Sequence, residues 1–133
     1  MKPFLVFLLL CGTLNTLAQI NWSKTSNWKI YKVPEPVIFK IPIDSLNQLY
    51  SRPLRQDSTM MYIGTSTILP DSIKPVWMGG WVATYELSGQ MHKIQISAYG
   101  AFFYDQSSDR FYQIPIALKD DWMTYINQLL SSI

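Results

Sequence analysis

The sequence predicts an α+β domain. An antiparallel sheet, built on a meander over 76–114, packs against a C-terminal amphipathic helix, and a short helix lies near 44–51. Two observations carry this. Over 76–114, polar turn residues separate aromatic and β-branched runs that hold a consistent register through two hairpins. From Leu118 onward the apolar residues recur at helical spacing instead.

The meander reads as three strands joined by two short turns. A two-residue loop at Ser88-Gly89 sets Leu87 opposite Gln90. Tyr85 then faces His92, Ala83 faces Ile94 and Trp81 faces Ile96, which makes one mostly apolar face. The opposite face pairs Glu86 with Met91, Thr84 with Lys93 and Val82 with Gln95, and is expected to be wetter. A slip of one residue would move every apolar side chain to the wrong side, so the agreement specifies the register. The second turn, Gln106-Ser107-Ser108-Asp109, sets Asp105 opposite Arg110, Tyr104 opposite Phe111 and Phe103 opposite Tyr112. Here both faces are aromatic. Such a strand is covered on both sides, or keeps one side for a partner. Gly79-Gly80 and Gly100 fall inside the strand pattern and mark bulges or bends.

The C-terminal helix places Leu118, Trp122, Tyr125, Ile126, Leu129, Leu130 and Ile133 within an arc of about 140°, with Trp122 as its central anchor. Asp120 and Asp121 suit its positive end. Upstream, 28–33 and 37–41 read as short strands separated by Pro34-Glu35-Pro36, where the prolines forbid ladder donation. Asp44 is the expected N-cap of the short helix, with Leu46, Leu49 and Tyr50 on one face and a stop before Pro53. Residues 52–59 read as a polar loop, 60–63 as a strand and 64–75 as connection. The segment 19–27 is polar and expected to be a loose arm.

Residues 1–18 have the order of a signal peptide. Met1-Lys2 is the positive start, an apolar run follows over 4–10, and Thr16-Leu17-Ala18 offers a small-x-small cleavage site before Gln19. The run falls well short of the ~20 apolar residues that span a bilayer. Lipid attachment at Cys11, making a lipoprotein, is the rival, but Leu10 stands where a small residue is expected. The expectation is therefore an exported chain, periplasmic or secreted, in which 19–133 form one domain without a transmembrane segment. Lys2 and Cys11 leave with the leader, so ten Lys and Arg face nine acids and no cysteine stays. That excludes a disulfide framework and a cysteine-ligated metal. The charges are interspersed, which gives no footprint for nucleic acid. Aromatic residues are dense, as in sheet-rich domains that bind something or pack tightly.

The residues that carry chemistry are few. His92 is the one histidine, whereas a protein zinc site takes three or four ligands. Nucleophile-His-acid catalysis would also have to run through it, yet the register makes it a strand residue beside Tyr85. Asp120-Asp121 is better explained by its place at a helix start than as an acid-base pair. Asp105, Ser107, Ser108 and Asp109 lack calcium-loop spacing and make an ordinary polar turn. Asn21-Trp22-Ser23 fits the N-glycosylation pattern. No catalytic residue, metal ligand or cofactor is assigned.

The feature above background is aromatic. Trp77, Tyr99, Phe103 and Tyr112 share one side of the sheet if Gly79-Gly80 shifts the phase of Trp77. They form an exposed platform if the terminal helix covers the opposite side, and a second core layer if the early strands cover them. The order of short strands, a meander and a terminal helix resembles pleckstrin-homology-like and other small α+β modules in outline, which carries no functional residue. The expected function is an exported, non-catalytic interaction module that binds another protein, as an inhibitor, immunity protein or accessory subunit. The alternative is a carbohydrate-binding protein or a small carboxylate-dependent hydrolase.

Overall fold

The computed structural model describes residues 20–33, 42–73, 75, 80–97 and 101–131. In chain order its elements are β1 (Ser26–Tyr31), α1 (Ile43–Leu46), β2 (Ser51–Pro53), α2 (Gln56–Tyr62), β3 (Thr67–Ile68), β4 (Trp81–Leu87), β5 (Gln90–Ile96), β6 (Phe102–Asp105), β7 (Arg110–Gln113) and α3 (Lys119–Ser131). The strands form one antiparallel sheet in the order β2-β1-β4-β5-β6-β7-β3. Among the described residues no helix is long and apolar enough to cross a membrane.

The central hairpin has the register read from the sequence at all seven pairs, from Leu87↔Gln90 to Trp81↔Ile96. Ser88 and Gly89 both take left-handed φ, 53° and 78°. That geometry twists a two-residue turn in the sense of the strands it joins. The second hairpin matches as well, with Phe103↔Tyr112, Tyr104↔Phe111 and Asp105↔Arg110. One strand was expected through 90–105, but the chain reverses between Ile96 and Phe102, so that β5 and β6 pair with Ile96 opposite Phe103. The meander thus has four strands.

Cross-strand partners share a face. The Trp81, Ala83, Tyr85 face therefore continues through Ile94 and Ile96 to Phe103 and Tyr112, and all seven belong to the main core or pack on it. The terminal helix covers this face. Its Trp122, Ile126 and Leu130 are buried in the same core, with Trp122 wholly inaccessible. The Trp122 ring lies 5.2 Å from that of Tyr62 on α2. Tyr125 receives the Arg55 backbone N–H at 3.0 Å, which ties α3 to the start of α2.

Residues expected as a loose arm supply the centre of that core. Asn21 caps a 3₁₀ turn over Trp22–Lys24, its Oδ1 accepting from Ser23 N at 3.2 Å. Thr25 Oγ1 donates to the Trp22 carbonyl at 2.6 Å and accepts from Trp28 Nε1 at 2.9 Å. These bonds point Trp22 inward, edge-on to Tyr85, Phe103 and Tyr112 at centroid distances of 5.5, 5.7 and 5.3 Å. With Trp28 at 6.1 Å as well, a single indole packed among four rings outweighs the polarity of its neighbours.

The opposite face is drier than expected. Val82, Thr84, Lys93 and Gln95 are all buried. Leu46 of α1 meets Val82 and Tyr31 there, with Leu49 beside them. The short helix sits at the expected place, but Pro42 is its N-cap and Asp44 lies within its first turn without capping it. Two further expectations fail. The 52–63 stretch is not loop then strand: it begins in β2 and becomes α2, with Thr59 and Tyr62 buried on one side. Within 64–75, Thr67 and Ile68 pair with β7. The strand expected at 37–41, and Gly79 and Gly100, lie outside the described residues.

Burial shifts the titrations of this core in one direction for the tyrosines. Desolvation pushes Tyr62, Tyr85 and Tyr112 above the ordinary value. Tyr104, donating to Asp109, is pushed up to about 12. A tyrosine that holds its proton when folded and loses it near pH ~10 when unfolded destabilises the fold as pH rises further. Lys93 has the opposite sign. Burial lowers its ammonium, so its contribution improves as pH rises toward the ordinary lysine value. With four tyrosines against one lysine, the denaturation midpoint should fall above about pH 10. A flat or rising midpoint, or all tyrosines ionising together near pH ~10 by ultraviolet absorbance, would contradict the buried placements.

Candidate binding cleft

The four aromatic residues singled out in the sequence do not make an exposed platform in the part that is described. Phe103 and Tyr112 stack at 5.1 Å with rings 6° apart, and neither is accessible to solvent. The condition for exposure, a helix on the other side, is reversed, because both residues share the core of α3. Trp77 and Tyr99 lie outside the described residues.

On the other face of the same hairpin, Tyr104 and Phe111 are partly buried and tilted against each other at 5.0 Å. Phe111 forms one wall of a cleft of about 410 Å³ at this end of the sheet. The chain leaving β3 builds the other wall. Leu69 donates its backbone N–H to the Phe111 carbonyl at 2.9 Å, which extends the pairing by one residue. Pro70 then turns the chain, with Ile73 N bonded to the Pro70 carbonyl at 3.0 Å, and leaves Ile73 half exposed. Ile73, Leu69, Pro70 and Phe111 supply the apolar lining, and Asp71, Asp109 and Arg110 the charges.

Those charges are held. Arg110 Nη1 pairs with Asp71 Oδ1 across the cleft. Asp109 has φ 54°, a left-handed position that Asp tolerates, and accepts the Tyr104 hydroxyl. The turn beneath is fixed by Asp105, which is fully buried. Its Oδ1 accepts from Tyr85 at 2.7 Å, and its Oδ2 from Ser107 Oγ, Ser108 N and Ser108 Oγ at 2.8, 2.9 and 2.6 Å. The carboxylate is satisfied from both sides, in keeping with a structural turn. Among the described residues no group of three His, Cys, Asp or Glu could hold a metal ion.

A second cleft, of about 480 Å³, lies between the Trp22 turn and the end of α2. Its described lining carries no charge, and its Thr65 and Ser66 hydroxyls already donate to the carbonyls of Met61 and Ile63 at 2.6 Å each. The charged cleft is the better equipped of the two. The sheet edges, by contrast, are poor docking sites: β2 has three residues and ends in Pro53, which lacks a donor, and β3 has two. Comparison with protein-family models, curated proteins and solved structures finds no match.

His92 sits where the register put it, partly buried opposite Tyr85, with ring centroids 5.3 Å apart. We expect His92→Gln to change stability by less than about 1 kcal/mol and leave partner binding unchanged. Loss of function with an unaltered melting curve would return the imidazole to the centre of the account.

Proposed function

We propose that the chain is an exported, non-catalytic module that binds another protein through the cleft between residues 69–73 and the start of β7. The observation that carries this is the composition of the cleft: an apolar lining that ends in the half-exposed Ile73, rimmed by Asp71, Asp109 and Arg110. An apolar centre with a polar rim is the anatomy of a protein interface. The hydrolase alternative asks for a pair of acids free to take up and release a proton. In the cleft each carboxylate is tied through one oxygen, Asp71 to Arg110 and Asp109 to Tyr104, and offers only the other to a ligand. Export is proposed on the order of residues 1–18, and an intact mass beginning at Gln19 is its check.

A photo-crosslinking amino acid placed at Ile73 in the cells that export the protein tests the reading, with the same group at Tyr50 as control. Both side chains are about half exposed, at 50% and 51%, so chance encounters label them equally. A discrete protein adduct from Ile73 alone supports the module. Equal labelling, or binding of oligosaccharide instead of protein, speaks against it.

A further inference from the structure

We propose that this cleft takes a segment of the partner that sets a basic side chain, Lys or Arg, beside an apolar one. The inference rests on reading the cleft as a protein-binding surface, and goes further by naming the chemistry of the occupant. The described lining carries two carboxylates, Asp71 and Asp109, against one guanidinium, Arg110. Both carboxylates are only half used. Asp71 accepts Arg110 on Oδ1 and Asp109 accepts Tyr104 on Oδ1, while Oδ2 of each has no donor among the described residues.

Asp71 has 83% of its side-chain surface in water. A partner that covers the cleft strips that water away and must replace the lost hydrogen bonds or leave charge uncompensated. A basic group supplies charge-assisted donors to the open oxygens. An acidic group would put a third carboxylate beside two others and would have to displace Asp71 from Arg110, at the cost of like-charge repulsion. Leu69, Ile73 and Phe111 give the apolar neighbour its seat. Arg110, in this arrangement, holds Asp71 in position rather than meeting the partner.

The probe is a displayed library of random peptides, selected on the exported protein against a matched control protein of similar charge. Enriched sequences should place Lys or Arg next to an apolar residue. A selected peptide should bind about tenfold more weakly to Asp71→Asn or to Asp109→Asn, and more weakly as salt rises. Asn tolerates the left-handed backbone at position 109, so that variant keeps the turn. Enrichment of acidic or uncharged peptides, or wild-type affinity for both Asn variants, overturns the basic-residue inference and leaves the module standing. No enrichment over the control protein overturns both.

Discussion

Trp122→Ala should remove about 3–5 kcal/mol of stability, the range for emptying a large buried aromatic site. Domains of this kind hold only about 5–15 kcal/mol in total, so the variant is expected to be partly unfolded at physiological temperature. The size of the effect follows from position. Trp122 is fully buried and lies 5.2 Å from the Tyr62 ring and 6.4 Å from that of Tyr125, joining α3 to α2 and to the sheet core. Its indole N–H is buried with no acceptor among the described residues. Trp122→Phe therefore gives up volume but no hydrogen bond, and should cost clearly less than the Ala variant. Chemical denaturation of both measures this. Equal midpoints for Ala and wild type would mean that α3 is not docked through this side chain.

Asp105→Ala should cost at least about 3 kcal/mol, although it removes few atoms. The loss is in hydrogen bonding. Four donors converge on this one carboxylate: the Tyr85 hydroxyl, both serine hydroxyls and the Ser108 amide. Without it, the Tyr85 hydroxyl keeps one contact, to Ser107 Oγ at 3.2 Å, and the turn joining β6 to β7 loses its anchor. Asp105→Asn keeps an acceptor and should fall between Ala and wild type. Because the same turn carries Asp109 and Arg110 into the cleft, partner binding should weaken together with stability. An Ala variant as stable as wild type would show that the turn is held by its backbone alone.

The register of both hairpins was legible because alternation and turn chemistry agreed, as at Ser88-Gly89, where each residue's position implies the pairing of the other strand. The helix at the C-terminus was legible for the same reason: seven apolar residues fit one arc. What was hidden depended on tertiary contact. The stretch around Met60 to Ile63 is a short apolar run, which fits strand and helix equally, and the burial of Thr59 together with the packing of Tyr62 on Trp122 of α3 decides for helix. Trp22 lies in a mostly polar segment with only Ile20 as an apolar neighbour, and the assembled rings of Tyr85, Phe103 and Tyr112 give it a destination.

The cleft was missed for a related reason. Phe103 with Tyr112 and Tyr104 with Phe111 are equivalent in sequence pattern, so the choice of which pair turns inward rests on Trp22 and α3. Its second wall follows β3, whose two residues are too few to announce a strand. Pro70-Asp71 was visible as a turn, without any sign that Asp71 would meet Arg110.

The most direct test of the central claim is the affinity of the crosslinked partner for Ile73→Asp, measured by calorimetry beside Tyr50→Asp. Ile73 is 50% exposed, so the substitution spares the core while placing a charge in the apolar part of the cleft. A loss of at least about tenfold is expected for Ile73→Asp, and wild-type affinity for Tyr50→Asp. Unchanged affinity for Ile73→Asp, with the loss at Tyr50 instead, would place the working surface on the other end of the sheet and contradict the assignment of the cleft.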